Sequence, residues 1–178
     1  MNLIEIIDNY AAICPERIVH RYRGSSLTYG QLKKRSDALA SFVIGTFGRD
    51  KTPIAVFGHK QQEMLIGFLA CVKAGHAYIP IDESLPAQRI QDIIESSGTK
   101  LILEISSLSA KTPGADFGVL PGNIRLLSRS EISSIIESNK GKTPSAESSV
   151  QKEETYYIII GLGVHPVICR DVSGGFRL

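Results

Sequence analysis

Residues 58–82 read GHKQQEMLIGFLACVKAGHAYIPID and directly follow the apolar run of residues 53–57. Between residues 61 and 73, apolar side chains recur at helical spacing, which predicts a helix. Gly75 follows, where a chain that leaves a helix often needs a left-handed residue. Residues 77–81 are too few and too apolar for another helix and predict a strand.

A strand, a crossover helix and a second strand form the βαβ unit of a parallel sheet. Pro80 lacks a backbone N–H, so we expect it near the end or the edge of its strand. The sequence predicts further helices at 2–12, 28–47, 86–98 and 131–137, and strands at 17–22, 100–104, 124–127 and 155–160, with a polar connection up to about residue 122. This alternation predicts an α/β fold with a mostly parallel sheet and flanking helices.

Five residues mark the ends of the predicted helices. Asn2 and Thr28 are candidate N-caps, and Pro86 suits a first helical turn. Gly48 and Gly98 suit the residues that follow a helix. The residues expected on buried helix faces are Leu32, Leu39, Phe42 and Val43 in one helix and Ile90, Ile93 and Ile94 in another.

Composition excludes several classes of protein. The chain has 178 residues, 43% of them hydrophobic, which suits a globular protein. Its net charge of +2 indicates neither a nucleic-acid partner nor an anionic membrane. No run approaches the roughly 20 apolar residues of a membrane span. Cys14, Cys71 and Cys169 are odd in number and widely spaced, which fits a reducing, cytoplasmic compartment.

Residues 138–154, SNKGKTPSAESSVQKEE, are polar apart from Val150. This composition predicts a solvated loop or linker. The run TYYIII at 155–160 suits a buried strand, whereas the residues after it carry no helical stripe and only a brief alternation.

Taken alone, the sequence offers no set of catalytic, cofactor-binding or metal-ligating residues. The four histidines, His20, His59, His76 and His165, share no ligand spacing with one another or with the cysteines. The pair of glycines at 161 and 163 lacks the third glycine of a dinucleotide fingerprint. We therefore assign no site residue from the pattern, and we interpret each histidine as structural.

Two segments resemble core motifs of the adenylate-forming (AMP-binding) enzymes. Residues 27–32, LTYGQL, resemble the family's LTYxEL motif, and residues 72–82, VKAGHAYIPID, resemble LKAGxAYVPID, with Pro86 and Arg89 continuing the pattern. The sequence AGHAYIP, with His76 where peptide-synthetase domains commonly have Gly or Ala, is similar to D-alanine–D-alanyl carrier protein ligases. The resemblance covers roughly residues 1–159 and implies the N-terminal subdomain of the adenylate-forming fold.

The resemblance also implies a function for the family. Its members use ATP and Mg2+, and these ligases activate D-alanine as D-alanyl-AMP before transfer to the phosphopantetheine thiol of a D-alanyl carrier protein, for lipoteichoic acid D-alanylation. In the family, a strand like residues 155–159 leads into a phosphate-binding loop close to YTSGSTGNPKG. Here the resemblance stops at Ile160, so no residue of this chain takes over a catalytic or ATP-contacting role. We expect the chain to be inactive alone.

The abrupt change at Ile160 motivates the hypothesis that residues 160–178 are read in a shifted frame. The other two frames of the coding DNA should then contain a TSGSTG-like stretch, and its absence from both would contradict the hypothesis.

Two alternatives stay open at this point. The first is an adenylation domain for another amino acid, which the residues of a substrate pocket would distinguish. The second is a non-catalytic α/β fragment or interaction module, which predicts no nucleotide affinity and an exposed apolar sheet edge at 155–160.

Overall fold

A computed structural model of the chain describes residues 3–48, 50–108, 124–151 and 153–160, and the backbone of residues 166–170. Its helices are α1 (Leu3–Ile13), α2 (Tyr29–Phe47), α3 (Gln62–Lys73), α4 (Ala87–Ser97) and α5 (Arg129–Ser138), with a 3-10 turn at Ala146–Ser148. Its strands are β1 (Ile18–Tyr22), β2 (Ser25–Thr28), β3 (Ile54–Gly58), β4 (Tyr78–Asp82), β5 (Leu101–Glu104), β6 (Arg125–Ser128), β7 (Thr155–Ile160) and β8 (Pro166–Arg170). The predicted Asn2 cap and most of the predicted connection before residue 122 lie outside the described residues.

The main sheet has the strand order β6-β5-β3-β4-β7-β8. The first five strands are parallel, and β8 is antiparallel to β7. β1 and β2 form a separate antiparallel hairpin. The predicted α/β fold with a mostly parallel sheet is therefore confirmed. In the part of the chain that the structure describes, no helix is both long and apolar enough to cross a bilayer.

The predicted βαβ unit is present as β3, α3 and β4, and it lies in the middle of the sheet. All five residues of β3 are buried, because β4 and β5 pair with its two edges and helices cover both faces. Helices α2, α3 and α5 pack on one face of the sheet, and α4 packs on the other. Burial on both faces explains why this strand is continuously apolar.

The expected place of Pro80 is wrong. Pro80 is the third residue of β4, which lies inside the sheet between β3 and β7. The N–H of Glu83 donates to the carbonyl of Gly58 on β3 at 2.8 Å. The backbone N–H groups of the odd-numbered residues therefore point towards β3, and those of the even-numbered residues of β4 point towards β7. The backbone nitrogen of Pro80, which carries no hydrogen, thus faces β7, where the pairing of β4 is confined to Tyr78 and Tyr157.

The predicted helix ends are largely confirmed. The Thr28 hydroxyl accepts the N–H of Gln31 at 3.3 Å, and the Gln31 side chain accepts the N–H of Thr28 at 3.0 Å, a reciprocal capping box. Gly48 follows α2, Pro86 directly precedes α4, and Gly98 follows it with φ +64°.

The segment 138–154 packs more closely than the predicted solvated loop. Val150 is only 5% exposed, and its N–H donates to the carbonyl of Val72 in α3 at 2.9 Å. Near its end, Glu154 accepts hydrogen bonds from Lys51 at 2.8 Å. A buried apolar side chain, a backbone hydrogen bond to α3 and an ion pair with Lys51 thus hold an otherwise polar segment in place.

β8 was not predicted, because its alternation is too short to stand out in the sequence. Its backbone pairs with β7 from Thr155 opposite Arg170 to Ile160 opposite Pro166. The expectation of an open strand edge at 155–160 is therefore wrong. On the sheet face of β7, however, Ile159 remains 48% exposed.

A buried ion-pair cluster joins three helices. Lys73, the last residue of α3, is 3% exposed, and its Nζ lies 2.5 Å from Asp37 on α2 and 3.0 Å from Asp8 on α1. Asp37 also accepts a hydrogen bond from Lys33 at 2.6 Å. The charge of Lys73 is thus compensated inside the protein rather than by water.

The residues after Lys73 make further contacts at the same end of the sheet. Gly75 has φ +85°, as the sequence predicts for a residue that leaves a helix. A β-carbon at this position would lie 2.5 Å from the carbonyl oxygen of Ser148. His76 is 1% exposed, with Nδ1 2.8 Å from the Thr52 carbonyl oxygen and Nε2 3.1 Å from that of Gly48.

Replacement of Lys73 tests the buried cluster. Lys73→Met is expected to lower the free energy of unfolding by about 3–5 kcal/mol, because it removes the buried cation that Asp37 and Asp8 share and leaves Asp37 with the partly exposed Lys33. Lys140→Met removes an exposed partner of Glu137 and should cost less than about 1 kcal/mol. Denaturant unfolding measures both, and equal costs would contradict a structural role for the cluster.

Replacement of Gly75 tests the docking of the segment 138–154. Gly98→Ala is the matched control, because Gly98 also follows a helix with positive φ but has open space around it. The control should cost about 1–2 kcal/mol of stability from backbone strain alone. Gly75→Ala should cost about 1–3 kcal/mol more, because its new methyl group meets the Ser148 carbonyl. If thermal and denaturant unfolding show the same loss for both variants, the contact with Ser148 is absent in solution.

Candidate functional site

The carboxyl ends of the parallel strands meet at one edge of the sheet, which we call the carboxyl edge. After β3 the chain enters α3 on one face of the sheet, and after β4 it enters α4 on the other face. Because the two connections leave towards opposite faces, the ends of β3 and β4 form a topological switch point, where the topology predicts a crevice. Open α/β sheets bind ligands at such a topological switch point.

A histidine–carboxylate pair spans this crevice. His59 directly follows β3, and its Nδ1 lies 2.9 Å from Oδ2 of Asp82, the last residue of β4. The other carboxylate oxygen of Asp82 accepts the N–H of Ser84 at 2.8 Å. Burial alone would raise the pKa of Asp82, but the hydrogen bonds from Ser84 and His59 together hold the pKa below its ordinary 3.8. Asp82 is therefore ionised at neutral pH.

Gln61 fixes the loop that carries His59. Its side-chain oxygen accepts the N–H of His59 at 2.6 Å, and its side-chain nitrogen donates to the hydroxyl of Ser106, after β5, at 2.8 Å. Although Gln61 precedes α3, its side chain makes no capping hydrogen bond to that helix. The backbone beside His59 is thus tied to the neighbouring strand.

A second charged group lies where α3 and α5 begin. Arg129 donates to Oε1 of Glu63 at 2.9 Å, and a nitrogen of Arg35 lies 3.9 Å from the same oxygen. Glu63 is 7% exposed, so burial alone would raise its pKa. The hydrogen bond from Arg129 and the charge of both arginines outweigh burial and lower the pKa of Glu63 below its ordinary 4.5. Desolvation lowers the pKa of Arg35.

Further polar groups line the same edge. An open cleft of about 530 Å³ lies beyond β5 and β6, and its lining consists of Glu104, Ile105, Ser106, Ser107, Ser128, Arg129, Ser130 and Ser133. At the other side of the crevice, Arg89 of α4 donates a hydrogen bond to the carbonyl of Ile160 at the end of β7. Hydroxyl groups, two arginines and carboxylates such as Glu104 and Asp82 therefore border the carboxyl edge from β6 to β7.

The structure separates the histidines that the sequence left unassigned. His76 is buried between backbone carbonyls, His20 lies on β1, and His165 lies outside the described residues. Only His59 of the described histidines reaches the carboxyl edge. Within the described ranges there is no group of three or more His, Cys, Asp or Glu side chains able to hold a metal ion.

Sequence reasoning missed the pairing of His59 with Asp82. The two residues are 23 positions apart, so no local motif connects them. A usable signal was present nevertheless, because each residue stands at the carboxyl end of one of two predicted strands of the same βαβ unit. Side chains at such ends become neighbours when the strands pair in register, as Gly58 and Asp82 do here.

Comparison with known proteins gives one family. Residues 7–160 match the family described as "AMP-binding enzyme". The chain is 43% identical over 163 residues to the D-alanine--D-alanyl carrier protein ligase of Bacillus mycoides (strain KBAB4), and 42% identical over 163 residues to that of Bacillus cereus (strain G9842). Each match covers 92% of this chain and 31% of the relative, so the chain spans about a third of the length of these curated relatives.

Solved structures agree on the fold. VinN in complex with 3-methylaspartate superposes with a TM-score of 0.77 at 13% identity, over 96% of this chain and 48% of VinN. NpsA-ThdA from Klebsiella oxytoca, an artificially fused adenylation–PCP di-domain, gives a TM-score of 0.76 at 18% identity, over 96% of this chain and 30% of the fusion. At these identities the likeness establishes the adenylate-forming fold alone.

The Glu63 cluster predicts a pH dependence of stability. Because the pKa of Glu63 in the folded protein lies below its ordinary value, its ionised form stabilises the fold above that value. The contribution is lost as the pH falls through the folded-state pKa. Glu63→Gln should therefore flatten the fall in free energy of unfolding between about pH 5 and pH 3. Urea unfolding across this range measures the slope. The exposed control Glu137→Gln should leave the slope unchanged, and a similar change in both variants would contradict the prediction.

Proposed function

This chain belongs to the AMP-binding enzyme family, and from that premise we propose that residues 1–159 are the N-terminal region of an adenylation domain that activates D-alanine. The complete ligase would convert D-alanine and ATP into D-alanyl-AMP and then load a D-alanyl carrier protein, for D-alanylation of lipoteichoic acid. The observation that carries this proposal is the 43% identity over 163 residues to a D-alanine--D-alanyl carrier protein ligase.

The proposed reaction has two balanced steps. In the first, a carboxylate oxygen of D-alanine attacks the α-phosphorus of ATP, an O–P bond forms and pyrophosphate leaves. In the second, the phosphopantetheine thiol of the carrier loses its proton and attacks the activated carbonyl, a C–S bond forms and AMP leaves. The described residues contain no group of three or more His, Cys, Asp or Glu side chains able to hold a metal ion, and we assign none of them to Mg2+ and route no step through it.

The matched region contributes a scaffold to this chemistry. The motif at 27–32 supplies the capping box of α2 through Thr28 and Gln31. The motif at 72–82 supplies Lys73 to the buried ion pairs and Asp82 to the carboxyl edge. These contacts support the assignment of the motifs to folding and to positioning of the edge, rather than to bond making.

We further propose that the 178-residue chain does not complete the reaction alone and that the ligase acts in the cytoplasm. The first point is supported by the share of the relatives that the chain spans, 31%. The second is supported by three widely spaced cysteines and by the need for ATP.

A chimaera tests the proposal. Residues 1–159 of this chain are joined to the remainder of the Bacillus mycoides relative, and ATP–pyrophosphate exchange is measured with D-alanine, with L-alanine and without amino acid. We expect exchange that depends on D-alanine in the chimaera and no exchange in the 178-residue chain, because the relatives extend well beyond the matched region.

The intact relative is the positive control. A folded chimaera that shows no D-alanine-dependent exchange would refute the assignment of residues 1–159 to this ligase. Exchange by the 178-residue chain itself would refute the claim that it is inactive alone.

A further inference from the structure

We propose that Arg89 is a positioning residue for the nucleotide in the complete ligase, and that it acts by holding the last backbone carbonyl of β7. The nucleotide and the ligase rest on the proposed function, whereas the contact rests on the geometry of this chain. Arg89 continues the motif that begins at residue 72, and the sequence alone gives it no role.

The contact joins two elements that are far apart in sequence. Arg89 is the third residue of α4, and a terminal nitrogen of its guanidinium group donates to the carbonyl oxygen of Ile160, 71 positions later at the end of β7. The next residue of α4, Ile90, is fully buried, and Ile158 and Ile160 of β7 pack against the same apolar cluster. The arginine side chain therefore reaches the carbonyl from a helix that the core holds in place.

Backbone pairing does not fix this end of β7 against β4. The two strands pair at Tyr78 and Tyr157, and within the described residues no further pair follows towards their carboxyl ends. Pro80, the next residue of β4 whose nitrogen faces β7, has no N–H to donate. On its other side β7 pairs with β8 up to Ile160, but β8 is the edge strand of the sheet. Since α4 follows β4 in the chain, the hydrogen bond from Arg89 links the end of β7 to the middle of the sheet.

The position of this carbonyl matters because of where it lies. Open α/β sheets bind their ligands beyond the carboxyl ends of the strands, and Ile160 ends β7 at that edge. In the family that this chain resembles, a phosphate-binding loop follows a strand like β7. Binding groups must be held to within about 0.5 Å of their productive positions. A shift of the strand end would move the first residues of such a loop and so weaken the binding of the nucleotide.

The acceptor is a backbone atom, so the contact does not depend on the side chain at position 160, where the family match ends. A chain that continues from residue 159 with the sequence of the relative still has a carbonyl there for Arg89 to hold. The guanidinium group is planar, presents several N–H donors and stays protonated, so the contact needs no change of protonation. It also needs no net positive charge at the carboxyl edge, where Asp82 and Glu104 lie, because the acceptor is an uncharged carbonyl.

The test measures ATP binding by calorimetry to the chimaera that carries residues 1–159 of this chain, together with ATP–pyrophosphate exchange. Arg89→Met should weaken ATP binding about tenfold and raise the KM for ATP by a similar factor, while the KM for D-alanine changes less than about twofold. Arg89→Lys keeps a donor without the planar fork and should cause a smaller loss. Gln88→Met is the matched control, because exposed Gln88 donates to Asp92 within α4, and it should leave ATP binding unchanged.

The contact itself is tested in the 178-residue chain. Arg89→Met should shift the carbonyl-carbon NMR signal of Ile160 and speed amide exchange at the end of β7, because the hydrogen bond that holds this end is lost. Gln88→Met should do neither. An Ile160 signal that does not respond to Arg89→Met would overturn the contact.

An ATP affinity that is the same with and without Arg89 would overturn the positioning role, and so would a folded chimaera that binds no ATP. If Arg89→Met does not fold, Arg89→Lys decides, and an unchanged ATP affinity in that variant contradicts the role. ATP binding that depends on Arg89, without D-alanine-dependent exchange, would keep the role and refute the proposed function. Exchange with an ATP affinity that does not depend on Arg89 would do the reverse.

Discussion

The ammonium group of Lys73 on α3 is almost completely removed from water, and carboxylates on two other helices, α1 and α2, compensate its charge. Asp37 on α2 lies 2.5 Å away and Asp8 on α1 lies 3.0 Å away. An uncompensated charge in such a place costs several kcal/mol, so α1 and α2 cannot move away from the end of α3 without a large penalty. Since α3 is the crossover between β3 and β4, the ion pairs of Lys73 also fix the position of these central strands relative to α1 and α2.

The parts of the fold that could be predicted from sequence are those that local patterns control. Thr28 caps α2 because a hydroxyl and a glutamine three residues apart satisfy each other's backbone N–H. Ile90, Ile93 and Ile94 lie on the buried side of α4 because their spacing matches the helical repeat. Gly98 has a left-handed backbone, which few other residues tolerate. Each of these conclusions needs only a few neighbouring residues.

The parts that could not be predicted depend on residues that are distant in sequence. Pro80 is tolerated inside the sheet because its backbone nitrogen faces β7, which pairs with β4 only at Tyr78 and Tyr157. Tyr157 is far from Pro80 in the sequence. The docking of Val150 depends on a carbonyl at the end of α3, which a polar composition does not reveal. His59 and Asp82 become a pair only after β3 and β4 are placed side by side in register. The candidate site was therefore harder to predict than the helices around it.

The motif at 72–82 connects the buried ion pairs with the candidate site, because it runs from one edge of the sheet to the other. At the amino edge, Lys73 makes the buried ion pairs and His76 contacts the carbonyls that flank the entry to β3. At the carboxyl edge, the same stretch ends on Asp82, which orients His59. The contacts of His76 fix the chain just before β4. They thereby also set the position of Asp82, the last residue of the same parallel strand. β4 is paired along its length with buried β3. The carboxylate of Asp82 is therefore held more firmly than a group on an unpaired loop would be, and it holds the ring of His59 in turn.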